Sequence, residues 1–205
     1  MIGIVNYGLG NIKAIANVYE KAGISYAFAD NESRLKNASK LILPGVGSFD
    51  YAMKCLNNSN LRSTIEKMVI NKSIPILGIC VGMQILTEGS EEGVTEGLSW
   101  IKGQFVSFNN FQSEEKVLPM PHMGWNNVEV INNNLLFENI KDEQFYFLHS
   151  YFFNEFDEKI SISKTNYILN FTSSFNKENI FGVQFHPEKS HENGEQLLIN
   201  FAKNC

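Results

Sequence analysis

The chain lacks any apolar run near the ~20 residues that a membrane-crossing helix needs, so no membrane association is expected. Cysteine is scarce: Cys55, Cys80 and Cys205 are three thiols, an odd number at wide spacing. That excludes a disulfide framework, and with no CxxC pair no zinc or other metal site is expected. A reducing cytoplasm is the natural setting. Basic residues are also in the minority, 17 Lys and Arg against 22 Asp and Glu, and the lysines are scattered among acids. Without a basic patch, nucleic acid is not expected as the main partner. The opening MIGIVNYGLGN has no basic region ahead of an apolar stretch, so no secretory leader is expected.

What is present suits one packed domain of 205 residues, 43% apolar. In the first half, apolar runs alternate with helix-period segments. Strands are expected at residues 2–6, 26–29, 40–43 and 74–79. Helices are expected after Asn11 as a cap, at residues 49–56 and 61–70, and opening at 82–87. Such alternation implies a mainly parallel sheet covered by helices on both faces, an α/β fold. The second half is richer in strands, at residues 104–108, 125–131, 143–148, 160–163, 167–172 and 180–185, before a final helix at 195–202. No internal repeat or long linker divides the chain.

Three short stretches carry the chemistry. Gly78-Ile79-Cys80-Val81-Gly82 places a cysteine between glycines where a strand meets a helix. Small flanking residues permit a tight, strained turn that holds a nucleophile at the C-terminal edge of a sheet. That edge is where open α/β sheets bind ligands, and a helix N-terminus there favours thiolate. Taken alone, Cys80 is equally readable as a buried core residue. The second stretch, Phe185-His186-Pro187-Glu188, follows another apolar strand. Alternation sends His186 and Glu188 to the same side, so the carboxylate can fix the imidazole tautomer and stabilise its protonated form. Together with the cysteine turn this supplies a Cys80–His186–Glu188 triad. Third, Leu43-Pro44-Gly45-Val46-Gly47 ends a strand in a loop whose amides, with that of Val81, can form an oxyanion hole. In that hole Val46 and Gly47 are the loop residues. Gly8-Leu9-Gly10-Asn11-Ile12-Lys13 lacks the third glycine of a dinucleotide fingerprint, so no nucleotide cofactor is expected.

GICVGMQ, FGVQFHPEKS and a proline–glycine loop ahead of both resemble the class I, triad-type glutamine amidotransferases. NYGLGN, LPGVGSFD, PHMGWN and FYFLHSY narrow the resemblance to the glutaminase-subunit family of imidazole glycerol phosphate synthases. The resemblance runs the length of the chain, and it implies a single-domain class I glutamine amidotransferase fold over residues 1–205, with a more antiparallel C-terminal half. It implies that Cys80 attacks the side-chain amide of glutamine, that a thioester is hydrolysed to glutamate, and that no cofactor is needed. It also implies that Gly47, Gln84, Glu92, Ser150 and Tyr151 hold the glutamine. Ammonia would pass to a (β/α)8-barrel cyclase in a heterodimer, making imidazole glycerol phosphate and an aminoimidazole carboxamide ribotide in histidine biosynthesis. Asn11, His122, Met123, Trp125 and Lys189 match partner-facing positions. Val81 stands where a leucine is common, and Phe152-Phe153 follow HSY; neither departure removes a catalytic group. A paralogue feeding a different synthase, such as a sugar-amidating enzyme, would share these motifs. A non-catalytic scaffold would not need the triad, and a peptidase or γ-glutamyl hydrolase would not explain PHMGWN.

Overall fold

The computed structural model describes residues 1–113 and 117–205. The first half builds β1 (Ile2–Val5), α1 (Ile12–Lys21), β2 (Tyr26–Ala29), α2 (Glu32–Lys36), β3 (Lys40–Gly45), α3 (Phe49–Asn58), α4 (Arg62–Glu66), β4 (Ile76–Cys80) and α5 (Val81–Gln84). There follow β5 (Gly89–Ser90), β6 (Gly103–Ser107), β7 (His122–Asn127), β8 (Glu129–Val130), β9 (Gln144–His149), β10 (Tyr151–Glu155), β11 (Ser161–Asn166), β12 (Asn170–Lys177), β13 (Ile180–Val183) and α6 (His191–Asn204). The α/β architecture and its antiparallel second half agree with the sequence reading.

The main sheet runs β2-β1-β3-β4-β13-β12-β10-β6-β5, with β11 on β12 and β8 on β11. From β2 to β13 every neighbouring pair is parallel. β1 and β4 are buried at every residue, which is why they read as unbroken apolar runs rather than alternating ones. From β12 to β6 the pairing becomes antiparallel. The decisive placement is β13: it comes late in the chain, yet lies parallel to β4 with Val183 opposite Ile79. The segments leaving β4 and β13 therefore emerge side by side at one sheet edge.

β7 and β9 form a separate two-stranded ribbon, with His122 opposite His149 and Trp125 opposite Tyr146. The strand expected at residues 125–131 thus begins earlier, at His122, and breaks at Val128, where the chain passes from pairing with β9 to pairing with β11. The expected strand at 167–172 starts only at Asn170, because Tyr167–Leu169 form the turn between β11 and β12. Helix α5 is one turn rather than 82–87: Leu86 and Thr87 donate three residues back, and Thr87 Oγ1 caps the Gln84 carbonyl at 2.8 Å. The expected helix at 61–70 changes at Lys67 into a π-helical turn through Asn71. Three short elements lie below the sequence signal: α2, capped by the Asn31 side chain at 3.0 Å from the Arg34 amide, β5 and β10.

Candidate active site

Cys80 ends β4 with φ of 54° and ψ of −115°, a strained backbone for a non-glycine residue. Its flanking glycines serve close approach of the chain rather than positive φ. A Cβ on Gly78 would lie 2.6 Å from the Gly82 carbonyl oxygen, and one on Gly82 would run into the Leu43 carbonyl of β3. A Cβ on Gly45 would meet the Gly82 amide in turn. The turn holding the thiol is thus pressed against the Pro-Gly loop: a side chain at Gly82 or Gly45 would force the two apart, and one at Gly78 would push α5 off β4.

The Cys80 thiol faces the Leu148 carbonyl at 3.9 Å, and Gln184 Nε2 donates toward Sγ at 3.7 Å. Gln184 Oε1 accepts from Gln84 Nε2 at 3.3 Å, leaving Gln84 Oε1 buried without a protein partner. Gln184 is not among the site residues expected from sequence. Its signal is nevertheless there, since it lies two residues before His186 on the same strand exit and so on the same side.

His186 Nδ1 is 3.0 Å from Glu188 Oε1, and both side chains are buried. The His186 backbone is fixed to β9 by its amide, which donates to the Tyr146 carbonyl at 2.8 Å, and by Ser190 Oγ, which donates to the His186 carbonyl at 2.6 Å. Burial alone would discharge the imidazole. The Cys80 sulfur and the Glu188 carboxylate outweigh it and raise the His186 pKa well above the usual imidazole value. For Glu188 burial likewise favours the neutral form, but hydrogen bonds from His186 and Asn11 prevail and keep the carboxyl below its ordinary pKa. Asn11 Nδ2 donates to the same Oε1 at 3.1 Å. Asn11 therefore does not cap α1: its side chain makes no capping bond, having been drawn to the buried carboxylate instead.

A cavity of about 280 Å³ opens over the thiol and is lined by Cys80, His186, Val46, Gly47 and Val81. Gln84, Glu92, Ser150 and Tyr151 also line it, so the structure gathers every residue the resemblance assigned to glutamine. Gly47 has φ of +89°, a conformation glycine adopts freely as the loop turns into α3. Glu92 Oε2 accepts from the Phe49 amide at 2.8 Å, tying the cavity wall to the start of α3 just beyond that loop. Chemically, the arrangement offers a buried sulfur, an oriented imidazole, backbone amides and a pocket of amino-acid size. Among the described residues no group of three or more His, Cys, Asp or Glu side chains could hold a metal ion, and no helix is long and apolar enough to cross a membrane.

The expected partner-facing residues divide. Met123 and Trp125 lie on the outer face of the ribbon, 65% and 46% exposed, beside their cross-strand neighbours Leu148 and Tyr146. Trp125 also stacks on His191, centroids 5.0 Å apart. Lys189 lines the cavity and holds its ammonium 5.5 Å above the Tyr146 ring. His122 departs from expectation: strand alternation turns it inward, buried between Phe147 and Tyr167. Its side chain lies under the ribbon rather than on its exposed face.

Residues 3–205 match the family model for "Glutamine amidotransferase class-I". The chain is 49% identical over 203 residues to "Imidazole glycerol phosphate synthase subunit HisH" of Leptospira borgpetersenii, covering 98% of this chain and 99% of that protein. It is 47% identical to the protein of the same name from Bdellovibrio bacteriovorus, covering 99% and 100%. A solved glutamine amidotransferase superposes with a TM-score of 0.73 at 15% identity, covering 98% of both chains. A chain of PurLQS from Thermotoga maritima does so at 0.67 and 20%, covering 98% of this chain and 96% of its own; both support the fold alone. By a family match that spans almost its whole length and by relatives near half identity, this chain belongs to the class I glutamine amidotransferases.

Proposed function

We infer that this chain is the glutaminase subunit of an imidazole glycerol phosphate synthase, acting in histidine biosynthesis. The identity to relatives of that name, held over nearly the full length of both proteins, supports the assignment. One domain, residues 1–205, carries the activity. The observation that carries the chemistry is the cavity over Cys80, where a His186–Glu188 pair and four polar wall residues converge.

Glutamine enters with its side-chain amide over Cys80 and its amino-acid end against Gln84, Glu92, Ser150 and Tyr151. His186 takes the thiol proton before the attack, and the sulfur then adds to the amide carbon as a thiolate. The amides of Val81, Val46 and Gly47 hold the developing oxyanion. His186 then passes the proton to the departing nitrogen, and the C–N bond breaks to leave ammonia and a γ-glutamyl thioester. Water, deprotonated by His186, cleaves the thioester to glutamate and restores the thiol. Glu188 keeps Nδ1 protonated throughout, so that Nε2 is the nitrogen that exchanges protons. No cofactor is required.

The ammonia goes to a (β/α)8-barrel cyclase docked on the outer face of the ribbon. Met123, Trp125 and Leu148 support that docking: they form an apolar group on a face that alternation would otherwise fill with polar residues. Free thiols at Cys55, Cys80 and Cys205 suit a reducing cytoplasm. The test is glutamine hydrolysis by the isolated chain and by its mixture with the source organism's own cyclase and that enzyme's ribonucleotide substrate. Slow turnover alone and a large stimulation in the mixture are expected. Full activity without the cyclase would refute the assignment to a two-chain enzyme.

A further inference from the structure

His122 and His149 face each other across the ribbon, and their rings meet: Nδ1 of His122 lies 2.9 Å from Nε2 of His149. The ends of this chain of contacts decide where the protons are. The Tyr151 carbonyl can only accept, so His149 Nδ1, 2.7 Å away, carries hydrogen. In a neutral ring that leaves His149 Nε2 as an acceptor, and His122 Nδ1 must donate to it. His122 Nε2 is then the acceptor for Asn126 Nδ2 at 3.1 Å, an amide that also donates to the Asn166 carbonyl at 3.0 Å. Burial holds both rings neutral, lowering the pKa of His122 to about 4 and that of His149 to about 3. The donors therefore run in one direction: Asn126 to His122 to His149 to the carbonyl of Tyr151.

The two ends of this relay lie in different parts of the fold. Asn126 follows Trp125 on the strand whose outer face is exposed. Tyr151 begins β10, in the main sheet, and Ser150 is the single residue between β9 and β10. At that corner Leu148, His149, Ser150 and Tyr151 all line the cavity over Cys80. His122 is also packed for precision, stacked 4.8 Å from Phe147 and 4.1 Å from Tyr167. Neither imidazole has a part in the triad chemistry.

We propose that His122 is a positioning residue for the glutamine-binding wall: by donating to His149 it fixes the Ser150 corner, and so carries the placement of the ribbon's exposed face into the substrate cavity. The proposal rests on the glutaminase assignment above. Two substitutions separate the hydrogen bond from the packing. His122→Phe keeps an aromatic ring between Phe147 and Tyr167 but removes the donor, leaving His149 Nε2 buried without a partner. His122→Asn loses the ring but retains an N–H at the Nδ1 position.

Glutamine KM and kcat are measured for wild type and both variants in the complex with saturating cyclase and its ribonucleotide. The expected result is a KM raised about tenfold in His122→Phe, with a smaller change in kcat, and a KM within about twofold of wild type in His122→Asn. The reverse order overturns the proposal, because stacking would then be the contribution of His122; equal behaviour of the two variants overturns it as well. Should His122→Phe fail to fold, nitrogen NMR of the wild-type chain decides. Nδ1–H tautomers for both His122 and His149 support the relay, and an Nε2–H tautomer for either one overturns it. A wild-type complex that releases no ammonia from glutamine refutes the glutaminase assignment, and the NMR measurement still judges the relay.

Discussion

Asn11 Nδ2 and His186 Nδ1 converge on one oxygen of Glu188, at 3.1 and 3.0 Å. The residue at the start of α1 thereby steadies a carboxylate at the other end of the sequence. Asn11→Ser separates this task from helix capping, because serine caps well but is too short to reach Glu188. We expect kcat to fall about tenfold, the equivalent of one charge-assisted hydrogen bond of roughly 1.5 kcal/mol. Steady-state glutaminase assays in the presence of the cyclase read this directly; unaltered activity would mean that Asn11 does not support the Glu188 carboxylate in catalysis.

Cys80→Ala removes the nucleophile while keeping the Cβ, so the strained turn is unchanged. Ammonia release should vanish. The packing contribution to unfolding free energy should change by no more than about 1 kcal/mol, since the sulfur borders a cavity and deleting it opens no new sealed void. Residual ammonia production would show that another group attacks the amide.

Gln184→Leu deletes the donor to Cys80 Sγ and also the acceptor that holds Gln84. Alkylation of Cys80 by iodoacetamide at pH 7, followed by mass spectrometry of its peptide, should slow several-fold because the thiolate loses a stabilising N–H. Glutamine KM should rise in parallel through Gln84. Alkylation at the wild-type rate would mean that the Gln184 amide does not act on the sulfur.

Gly82→Ala should be far more damaging than its size suggests. Its Cβ would collide with the Leu43 carbonyl, a backbone atom of a central strand that has no rotamer to yield. A loss of roughly 3 kcal/mol of unfolding free energy is expected by denaturant titration. A stable Gly82→Ala protein would mean that β3 and α5 can separate.

Stability should peak near the ordinary imidazole pKa, about pH 6.5. Below that value an unfolded chain protonates His122 and His149 while the folded one, with values of about 4 and 3, does not. Unfolding then takes up protons, and stability falls by up to about 1.4 kcal/mol per pH unit for each ring. Above it, His186 keeps its proton in the fold after the unfolded chain has released it, so stability declines as pH rises toward the raised value. Cys80→Ala removes one cause of that elevation and should flatten the alkaline limb. Chemical denaturation across the acid and alkaline limbs tests both; a flat acid limb would mean that the buried imidazoles are already charged in the fold.

The parts of the site that can be read in advance are short-range. Glycines two residues either side of Cys80, and His186 two residues before Glu188, mark geometry within a few bonds, and the parallel strands announce themselves as apolar runs. The unread parts depend on distant partners. Nothing near Asn11 reveals that its amide will be claimed by a carboxylate 177 positions away. His122 can be placed in a motif, but its direction depends on which face of β7 the aromatic side chains of β9 and the Tyr167 turn cover. Five-residue α2 offers too little periodicity to detect. Gln184 is legible by alternation, and only the triad beside it draws attention away.

The ribbon of β7 and β9 belongs to no ladder of the main sheet, though it supplies one wall of the cavity whose floor is the end of β4. Reactivity and recognition are thus mounted on separate chassis. Side chains on the ribbon's outer face can change while the backbone carbonyls of Tyr146 and Leu148 still meet the His186 amide and the Cys80 thiol. This makes residues 122–127 and 144–149 a replaceable cassette: exchanging them between relatives should transfer partner preference while the hydrolytic core stays as it is.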